Sequence, residues 1–338
     1  MNILAIESSC DETAVAIVRD GREVLTDCIA SQVALHREYG GVVPEIASRK
    51  HIEAIFPLAE QALKEAGLTR DDIDAVAVTY APGLIGAVLV GVNFAKAAAM
   101  AMNKPLIPVH HIRGHIAANY LAYPELEPPF LCLVVSGGHT MIIEVKDYTD
   151  MRILGTTLDD AAGECFDKVG RVLGMPYPGG AALDKAAQQG DEAKYHLPVA
   201  KPGENPYNMS FSGLKTATLN LIHHAQQVGE ELDVPSLCAS FTAAVSETLV
   251  PRVVRALEET GYRKVAVAGG VAANSKIRKD ILEAAEKLGA TVYMPPLKLC
   301  GDNGAMIGAQ AYYEYKAGNL TDMSLNAYAT KSILGESV

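Results

Sequence analysis

Apolar runs alternate with polar turns along the first third of the chain, in a pattern that predicts an α/β fold. Short strands are predicted at 3–6, 13–18, 23–30, 75–79 and 106–109. Between them, the stretch Pro44–Ala66 has apolar residues at helical spacing and ends before Gly67, a residue type that often follows a helix. Pro57 inside this helix predicts a kink or a break. Shorter helices are predicted from Gly86 and near 112–121.

Two apolar segments are expected to be buried. In the helix at 44–66, one stripe is expected to face the core, and it consists of Ile52, Ile55, Phe56, Ala59, Ala62, Leu63 and Ala66. The segment Ile85–Met102 contains Asn93 and Lys96 and falls short of the ~20 apolar residues that span a bilayer, so a buried helix is predicted. The amino terminus lacks the features of a signal peptide. We expect a cytoplasmic protein with no membrane contact.

The second half of the chain begins like the first. IESSCDETAVAIV at 6–18 and VVSGGHTMIIEV at 134–145 each contain an apolar strand, a turn with serine, and a threonine that opens another apolar strand. The repeat predicts duplicated α/β domains with a central cleft that both serine hairpins face. Strands are then predicted at 264–268 and 291–294, with helices at 161–173, 180–188, 213–227, 236–259, 274–288 and 303–316. The segment 191–210 is rich in Pro, Gly and Asn and predicts an insertion or a mobile loop.

Composition narrows the class of protein. A hydrophobic fraction of 49% with a charged fraction of 20% is typical of a folded globule. The net charge of -11 disfavours nucleic-acid binding by bulk electrostatics, so such binding would need a local basic patch or a partner protein. The six cysteines form no CxxC pair and are expected to be free thiols in a reducing compartment.

The pair His111 and His115 is a candidate metal site. On a helix, residues four apart share one face and can chelate one ion. No glutamate follows His111, so the pair is not the HExxH motif of metalloproteases. Asp302, where a predicted strand gives way to a helix, is the best third ligand, although an aspartate there also suits a helix cap. Two imidazoles and one carboxylate suit Fe(II) or Zn(II).

Glycine-rich turns follow several predicted strands. Ser136-Gly137-Gly138 can cradle an anion through its backbone N–H groups, or be a plain hairpin. Gly-Gly steps at 179–180 and 269–270 let a ligand approach the backbone, and the second follows a strand, where α/β sheets bind nucleotides. Asp167 lies deeper in its helix than the acidic residues before it and is expected to face the cleft. No P-loop and no nucleophile elbow occur.

Nine segments in order resemble one family: ESSCDET, YGGVVPEIASRKH, PVHHIRGH, VVSGGHT, DDAAGECFDKVGR, YPGG, FSGLKT, AGGVAAN and GDNGAMIG. They are similar to the TsaD family of tRNA threonylcarbamoyladenosine synthesis, formerly called the O-sialoglycoprotein endopeptidase family. The resemblance implies a two-lobed actin-like, Hsp70-like, sugar-kinase-like fold. We expect an N-terminal lobe at 1–125, completed by 309–338, and a C-terminal lobe at 126–308.

The resemblance also implies an acyltransferase. It would transfer the threonylcarbamoyl group from threonylcarbamoyl-adenylate to the exocyclic amine of the adenosine 3′ of the anticodon, in tRNAs that read codons beginning with adenine, and release AMP. His111, His115 and Asp302 would hold one divalent metal, with Fe(II) expected first and Zn(II) second. The implied substrate-binding residues are Val134, Val135, Ser136, Gly137, Gly138, Asp167, Gly180, Asp184 and Asn274. Ser9, Asp11 and Glu12 would form the opposite lip, and we hypothesise that Asp11 or Glu12 deprotonates the attacking amine.

The family implies three macromolecular partners, namely tRNA, the paralogous protein TsaB and the small ATPase TsaE. An alternative function is that of an ATP-dependent small-molecule kinase on the same fold, which would use Mg with nucleotide phosphates and need no histidine pair. The peptidase function lacks the HExxH glutamate and a secretion signal. A non-catalytic scaffold would not need His111, His115 and Asp302 together.

Overall fold

A computed structural model of the chain describes residues 1–201 and 203–334. Residue 202, in the predicted loop 191–210, and residues 335–338, in the predicted lobe segment 309–338, lie outside the described residues. The chain forms two compact units. The first contains residues 1–128, 146–151 and the chain from Pro295 onward, and the second contains residues 129–145 and 152–294.

Each unit contains one five-stranded sheet. The strands of the first sheet are β1 (Asn2–Glu7), β2 (Glu12–Arg19), β3 (Glu23–Ser31), β4 (Ala75–Ala81) and β5 (Leu106–His110), and those of the second are β6 (Phe130–Val135), β7 (Thr140–Val145), β8 (Met151–Thr156), β9 (Lys264–Ala268) and β10 (Thr291–Tyr293). The strand orders are β3-β2-β1-β4-β5 and β10-β9-β6-β7-β8. In both sheets the first strand pairs antiparallel with the second and parallel with the fourth. The predicted duplication is confirmed.

Ten α-helices surround the sheets of the described residues. They are α1 (Val33–Arg37), α2 (Pro44–Ala66), α3 (Ile85–Met102), α4 (His111–Ala122), α5 (Ala162–Val172), α6 (Gly179–Ala187), α7 (Ser212–Val228), α8 (Val234–Thr260), α9 (Ser275–Lys287) and α10 (Gly304–Lys316). Strand β8 and helix α1 were not predicted, because neither has a long periodic apolar run. The other predicted strands and helices are present, with ends that differ by at most a few residues.

The first sheet is covered on both faces, as the alternation of β1 requires. Leu4 and Ile6 point into a core with α2 and α3. Ile3 and Ala5 point into another core with α4 and α10. Because β1, β4 and β5 are parallel, their carboxyl ends lie at one edge of the sheet. The residues that follow these strands are therefore held close together.

Helix α2 has the predicted limits but not the predicted face. Pro44 begins it and Gly67 ends it in the left-handed conformation, at φ 67°. Pro57 does not break it, because Pro57 is exposed and a carbonyl without its helical donor can bond to water there. The predicted stripe is wrong at Ile52 and Phe56, which are 64% and 56% exposed. The buried face is rotated from the predicted stripe and comprises Ala47, His51, Ile55, Leu58, Ala59, Ala62 and Leu63.

Helix α3 is buried on one side only, so the predicted buried helix is present but its burial is limited to one face. The face of α3 that carries small residues, including Ala87, Gly91 and Ala95, is buried. Leu89 and Met100 are exposed on the other side. By length and composition, α3 and α8 are the two described helices apolar enough to cross a membrane, but core helices pass the same test and most of α8 is buried. The exposed apolar face of α3 therefore needs another explanation.

The predicted loop 191–210 contains no helix or strand in its described parts, 191–201 and 203–210. Buried Arg252 of α8 anchors it by donating to the carbonyls of Ala200, at 3.1 Å, and Asn208, at 2.7 Å. All six cysteines are free, as predicted.

Candidate active site

His111, His115 and Asp302 meet in the first unit. His111 is the first residue of α4, directly after β5, and His115 lies one helical turn later. Oδ1 of Asp302 lies 3.5 Å from Nε2 of His111 and 3.2 Å from Nε2 of His115. The two rings are 9% and 1% exposed, and the carboxylate is 18% exposed. The cluster is therefore shielded but open to solvent on the aspartate side.

Asp302 is not the helix cap that its position also allowed. Asn303 caps α10 by accepting a hydrogen bond from the N–H of Met306 at 2.8 Å. Gly114, between the two histidines, lets α4 approach α10 closely, since a Cβ there would lie 2.7 Å from Cδ1 of Ile307. The neighbouring residues thus bring the Asp302 carboxylate up to the histidines.

Buried Glu7 contacts His111 of the cluster. It ends β1, is completely buried, and accepts hydrogen bonds from Thr79 Oγ1 at 2.6 Å and from the N–H of Ser9 at 2.5 Å. Its Oε2 also lies 3.1 Å from Nδ1 of His111. A carboxylate at this distance keeps a proton on Nδ1, so Nε2, which faces Asp302, is the nitrogen that can bind a metal ion.

The buried charges couple strongly. Burial alone would raise the pKa of Glu7, but the charge and hydrogen bond of His111 lower it. Burial would likewise lower the pKa of His111, but Asp302 and Glu7 raise it to about 9. The cluster therefore favours a positive charge at its centre, whether that charge is a proton or a metal ion.

The donor set fits a divalent metal. The ligand atoms of His111, His115 and Asp302 all lie within 4.8 Å of one another. Bonds of about 2.0–2.1 Å in tetrahedral geometry separate ligand atoms by roughly 3.3 Å, close to the two histidine–aspartate distances above. Glu7 supplies the outer carboxylate that commonly orients a metal-binding imidazole. Imidazole suits Zn(II) and Fe(II), and three protein ligands leave positions for a substrate.

Asp11 lies in the turn between β1 and β2, and Glu12 is the first residue of β2. Asp11 is buried and Glu12 is half-buried, with Oε1 accepting from Ser31 Oγ at 2.8 Å. Burial raises the pKa of Glu12 to about 7. Buried His51 of α2 holds this turn, since Nδ1 accepts from Thr13 Oγ1 at 2.7 Å and Nε2–H donates to the Cys10 carbonyl at 2.9 Å. Glu12 is thus a fixed carboxylate that can change its charge near neutral pH.

The Ser136-Gly137-Gly138 turn follows β6 in the second unit. Ser136 N–H donates to the His139 carbonyl at 2.8 Å, and a Cβ on either glycine would have open space around it. Two other glycines, Gly163 and Gly269, lie close to the backbone at this turn. A Cβ on Gly163 would lie 2.4 Å from the Ser136 carbonyl oxygen, and one on Gly269, at φ +93°, would lie 2.5 Å from the Val135 oxygen. The side chains of Val134 and Val135 are completely buried, so only their backbone could touch a ligand.

The other predicted substrate residues also lie in the second unit, with Asp167 and Asp184 inside helices and Gly180 and Asn274 at helix starts. Asp167 accepts from the N–H groups of Gly179, at 2.8 Å, and Gly180, at 3.3 Å, and so caps α6. Asp184 accepts from Ser275 Oγ at 2.8 Å. Asn274 caps α9 by accepting from Ile277 N–H at 3.0 Å. These polar groups are therefore held in place by the fold, as a preorganised nucleotide site requires.

Sequence reasoning missed Glu7, Thr79 and His51. Glu7 and Thr79 are polar residues in otherwise apolar strands, β1 and β4, and that irregularity was the available signal. His51 replaces an apolar residue on the buried face of α2. Each is explained only by a partner distant in sequence.

Solved structures with low sequence identity have the same fold. HypF from T. kodakarensis is similar over 96% of this chain and 49% of its own, with a TM-score of 0.65 and 16% identity. Component A of (R)-2-hydroxyglutaryl-CoA dehydratase from Acidaminococcus fermentans is similar over 94% of this chain and 98% of its own, with a TM-score of 0.54 and 16% identity. At these identities the likeness shows the fold alone, and it confirms the predicted actin-like α/β class.

Sequence comparisons are more specific. A profile described as TsaD: tRNA N6-adenosine threonylcarbamoyltransferase matches residues 23–309. A protein of that name from Moorella thermoacetica is 56% identical over 96% of this chain and 95% of its own. Another from Clostridium botulinum strain 657 is 52% identical over 97% of this chain and 96% of its own. The chain therefore belongs to the tRNA N6-adenosine threonylcarbamoyltransferase family.

Proposed function

We propose that this protein transfers the threonylcarbamoyl group of threonylcarbamoyl-adenylate to the exocyclic amine of the adenosine 3′ of the anticodon, in tRNAs that read codons beginning with adenine. The amine nitrogen forms the new bond to the carbamoyl carbon, the carbon–oxygen bond to the phosphate breaks, and AMP leaves. The buried cluster of His111, His115 and Asp302, in a chain of this family, carries the proposal. A kinase that binds Mg through nucleotide phosphates would not need this cluster.

The metal in this proposal is Fe(II), with Zn(II) as the alternative. A bound divalent ion would supply Lewis acidity toward a substrate oxygen. His111, His115 and Asp302 would hold it, and Glu7 would fix the proton on Nδ1 of His111 so that Nε2 can bind. The 3.1 Å contact between Glu7 and His111 supports that role.

The substrate residues of the proposal lie in the second unit. The open Ser136-Gly137-Gly138 turn offers backbone N–H groups to the anionic end of the donor, and Asp167, Gly180, Asp184 and Asn274 would hold its ribose and base. Glu12 would take the proton released by the amine. A base with a pKa near the working pH is the most effective, and this favours Glu12, whose pKa is raised to about 7.

The partners in the proposal are tRNA, TsaB and TsaE, in the cytoplasm. We assign TsaB to the apolar face that α2 and α3 leave exposed. That face includes Ile52, Phe56, Ile85, Leu89 and Met100, all more than 40% exposed. Several large exposed apolar side chains on two packed helices are typical of a protein interface. The net charge of -11 also suits an enzyme that needs partners to hold tRNA.

The test combines the protein with TsaB, TsaE, unmodified tRNA and threonylcarbamoyl-adenylate, and measures modified adenosine by mass spectrometry of tRNA nucleosides. The parent should yield product and His111→Ala should lose at least a hundredfold in rate. His223→Ala, at an exposed histidine of α7, is the matched control and should keep the parental rate. Equal rates for all three proteins would make the histidines structural. No product from the parent in a mixture that a known family member completes would refute the function.

A further inference from the structure

The last described residues of the chain lie against the start of the histidine helix. We name residues 327–334 the C-terminal strap. Its backbone follows the carboxyl ends of β4 and β5, since Tyr328 N–H donates to the Tyr80 carbonyl at 3.0 Å and Gly83 N–H donates to the Ala329 carbonyl at 3.2 Å. Ile333, near its end, is 4% exposed. The strap is therefore hydrogen-bonded to the first unit near its start and buried against it at Ala327 and Ile333.

Two side chains next to His111 and His115 donate hydrogen bonds to backbone carbonyls of the strap. His110 accepts from Ile112 N–H through Nδ1 at 3.3 Å, so its Nε2 carries the proton and donates to the Lys331 carbonyl at 3.1 Å. Arg113 donates to the Ile333 carbonyl through Nε at 3.2 Å and Nη2 at 2.9 Å. One anchor precedes His111 and the other lies between His111 and His115. The strap is thus fastened to the same helical turn that carries the proposed ligands.

Arg113 also connects the strap to the helix that follows Asp302. Its Nη1 lies 2.9 Å from Oε1 of Glu314 in α10, and the two side chains are only 14% and 5% exposed. A guanidinium held by a carboxylate and a carbonyl resists movement, because losing the carboxylate would leave its charge unpaired and losing the carbonyl would leave two N–H groups without an acceptor. Arg113 therefore ties together α4, which carries both histidines, α10, which follows Asp302, and the strap.

We propose that the strap, through His110 and Arg113, is a positioning element that holds the His111–His115–Asp302 ligands in metal-binding geometry. The inference rests on the metal site in the proposed function. Residues that orient metal ligands typically change metal affinity by 10- to 100-fold when they are replaced. The strap is far from His111 and His115 in sequence, so the spacing of the two histidines does not reveal that the strap positions them.

The experiment measures Zn(II) affinity of the full chain by competition with a chromophoric chelator, with His111→Ala as the baseline without the site. Ile333→Asp places a charge in a buried position and should release the strap, which hydrogen exchange of residues 327–334 checks. Leu334→Asp, at the neighbouring residue with 38% exposure, adds the same charge without that effect. Ile333→Asp should weaken Zn(II) binding at least tenfold, and Leu334→Asp less than twofold.

A second pair of variants distinguishes an effect on the positions of the metal ligands from an effect on the stability of the fold. This pair tests the inference even if Ile333→Asp does not fold. Arg113→Gln should lower Zn(II) affinity at least tenfold. Arg252→Gln removes a buried arginine that donates to the carbonyls of another loop, and should lower the melting temperature without changing Zn(II) affinity. Parental Zn(II) affinity in Arg113→Gln, or in Ile333→Asp with a released strap, overturns the inference. Failure of the parent itself to bind one Zn(II) overturns the metal site as well.

Discussion

A side chain at Gly163 would collide with the backbone of the Ser136 turn, and its replacement gives a sharp test of the second unit. It lies in the first turn of α5, and its N–H donates to the Ser136 carbonyl at 3.3 Å. A Cβ on Gly163 would lie 2.4 Å from that carbonyl oxygen and 2.8 Å from Cα of Gly137. All of these atoms belong to the backbone, so no side chain can rotate away. Gly163→Ala must push α5 away from the Ser136 turn.

The magnitude follows from two opposing effects. Alanine is favoured over glycine in a helix by about 1 kcal/mol. Ordinary contacts begin near 3.4 Å, so the backbone must separate by about 1 Å, and such overpacking typically costs about 1–3 kcal/mol and sometimes more. Because every contacted atom belongs to the backbone, the cost should lie near the upper end, about 3 kcal/mol, and the net loss is then about 2 kcal/mol. For a unit of this size each kcal/mol shifts the melting temperature by roughly 2–4 °C, so the expected decrease is roughly 4–8 °C.

The assay is differential scanning calorimetry, with Gly213→Ala as the control. Gly213 is the second residue of α7, and a Cβ there would meet nothing within 4 Å. The control should melt at the parental temperature or slightly above it. Calorimetric titration with AMP, the proposed leaving group, should also give weaker binding for Gly163→Ala than for Gly213→Ala. If the two variants melt together and bind AMP alike, the close contact of α5 with the Ser136 turn is not a property of the protein.

Three further variants test the first unit. Glu7→Gln removes the charge that fixes the proton on His111, so Zn(II) affinity measured by chelator competition should fall 10- to 100-fold, and an unchanged affinity would refute the supporting role of Glu7. Glu12 must be ionised to accept a proton, so the transfer rate of the parent should rise with pH up to about 7 and then level off. The Glu12→Gln variant should lose most of the transfer rate, and its remaining rate should not rise with pH in this way. A parental pH profile in Glu12→Gln would identify another base. Phe56→Asp places a charge in the exposed apolar face and should abolish co-elution with TsaB on size exclusion, whereas Gln61→Asp, also exposed on α2, should not.

Local signals in the sequence predicted the elements well where their ends are determined by local chemistry. Pro44 and Gly67 define α2 because proline suits the first turn of a helix and glycine adopts the left-handed conformation that ends one. The two serine turns revealed the duplication because each joins an apolar strand to a second one. Strand β8 lacked such a signal, since only Met151 and Gly155 of its six residues are buried.

Which side of a helix is buried could not be predicted so well. The apolar stripe of α2 includes Ile52 and Phe56, which are exposed, and omits His51, which is buried. A pattern of apolar residues cannot distinguish a core from an exposed binding face, because both require the same side chains. It also cannot reveal a buried histidine whose polar atoms are satisfied by Thr13 and the Cys10 carbonyl.

The proposed metal ligands show how a duplicated fold can acquire different chemistry in its two halves. The turn after β1 follows buried Glu7, whereas the turn after the equivalent β6 follows buried Val135. Of these two equivalent strands, β1 therefore ends in a carboxylate that can orient an imidazole, whereas β6 ends in an apolar residue. Asp302 comes from the chain that leaves the second sheet after β10, yet it belongs to the first unit with the helix that follows it. The spacing of His111 and His115 predicted two ligands because one helix carries both. The third ligand and Glu7 depend on the return of the chain to the first unit and on parallel strand order, which no local motif encodes.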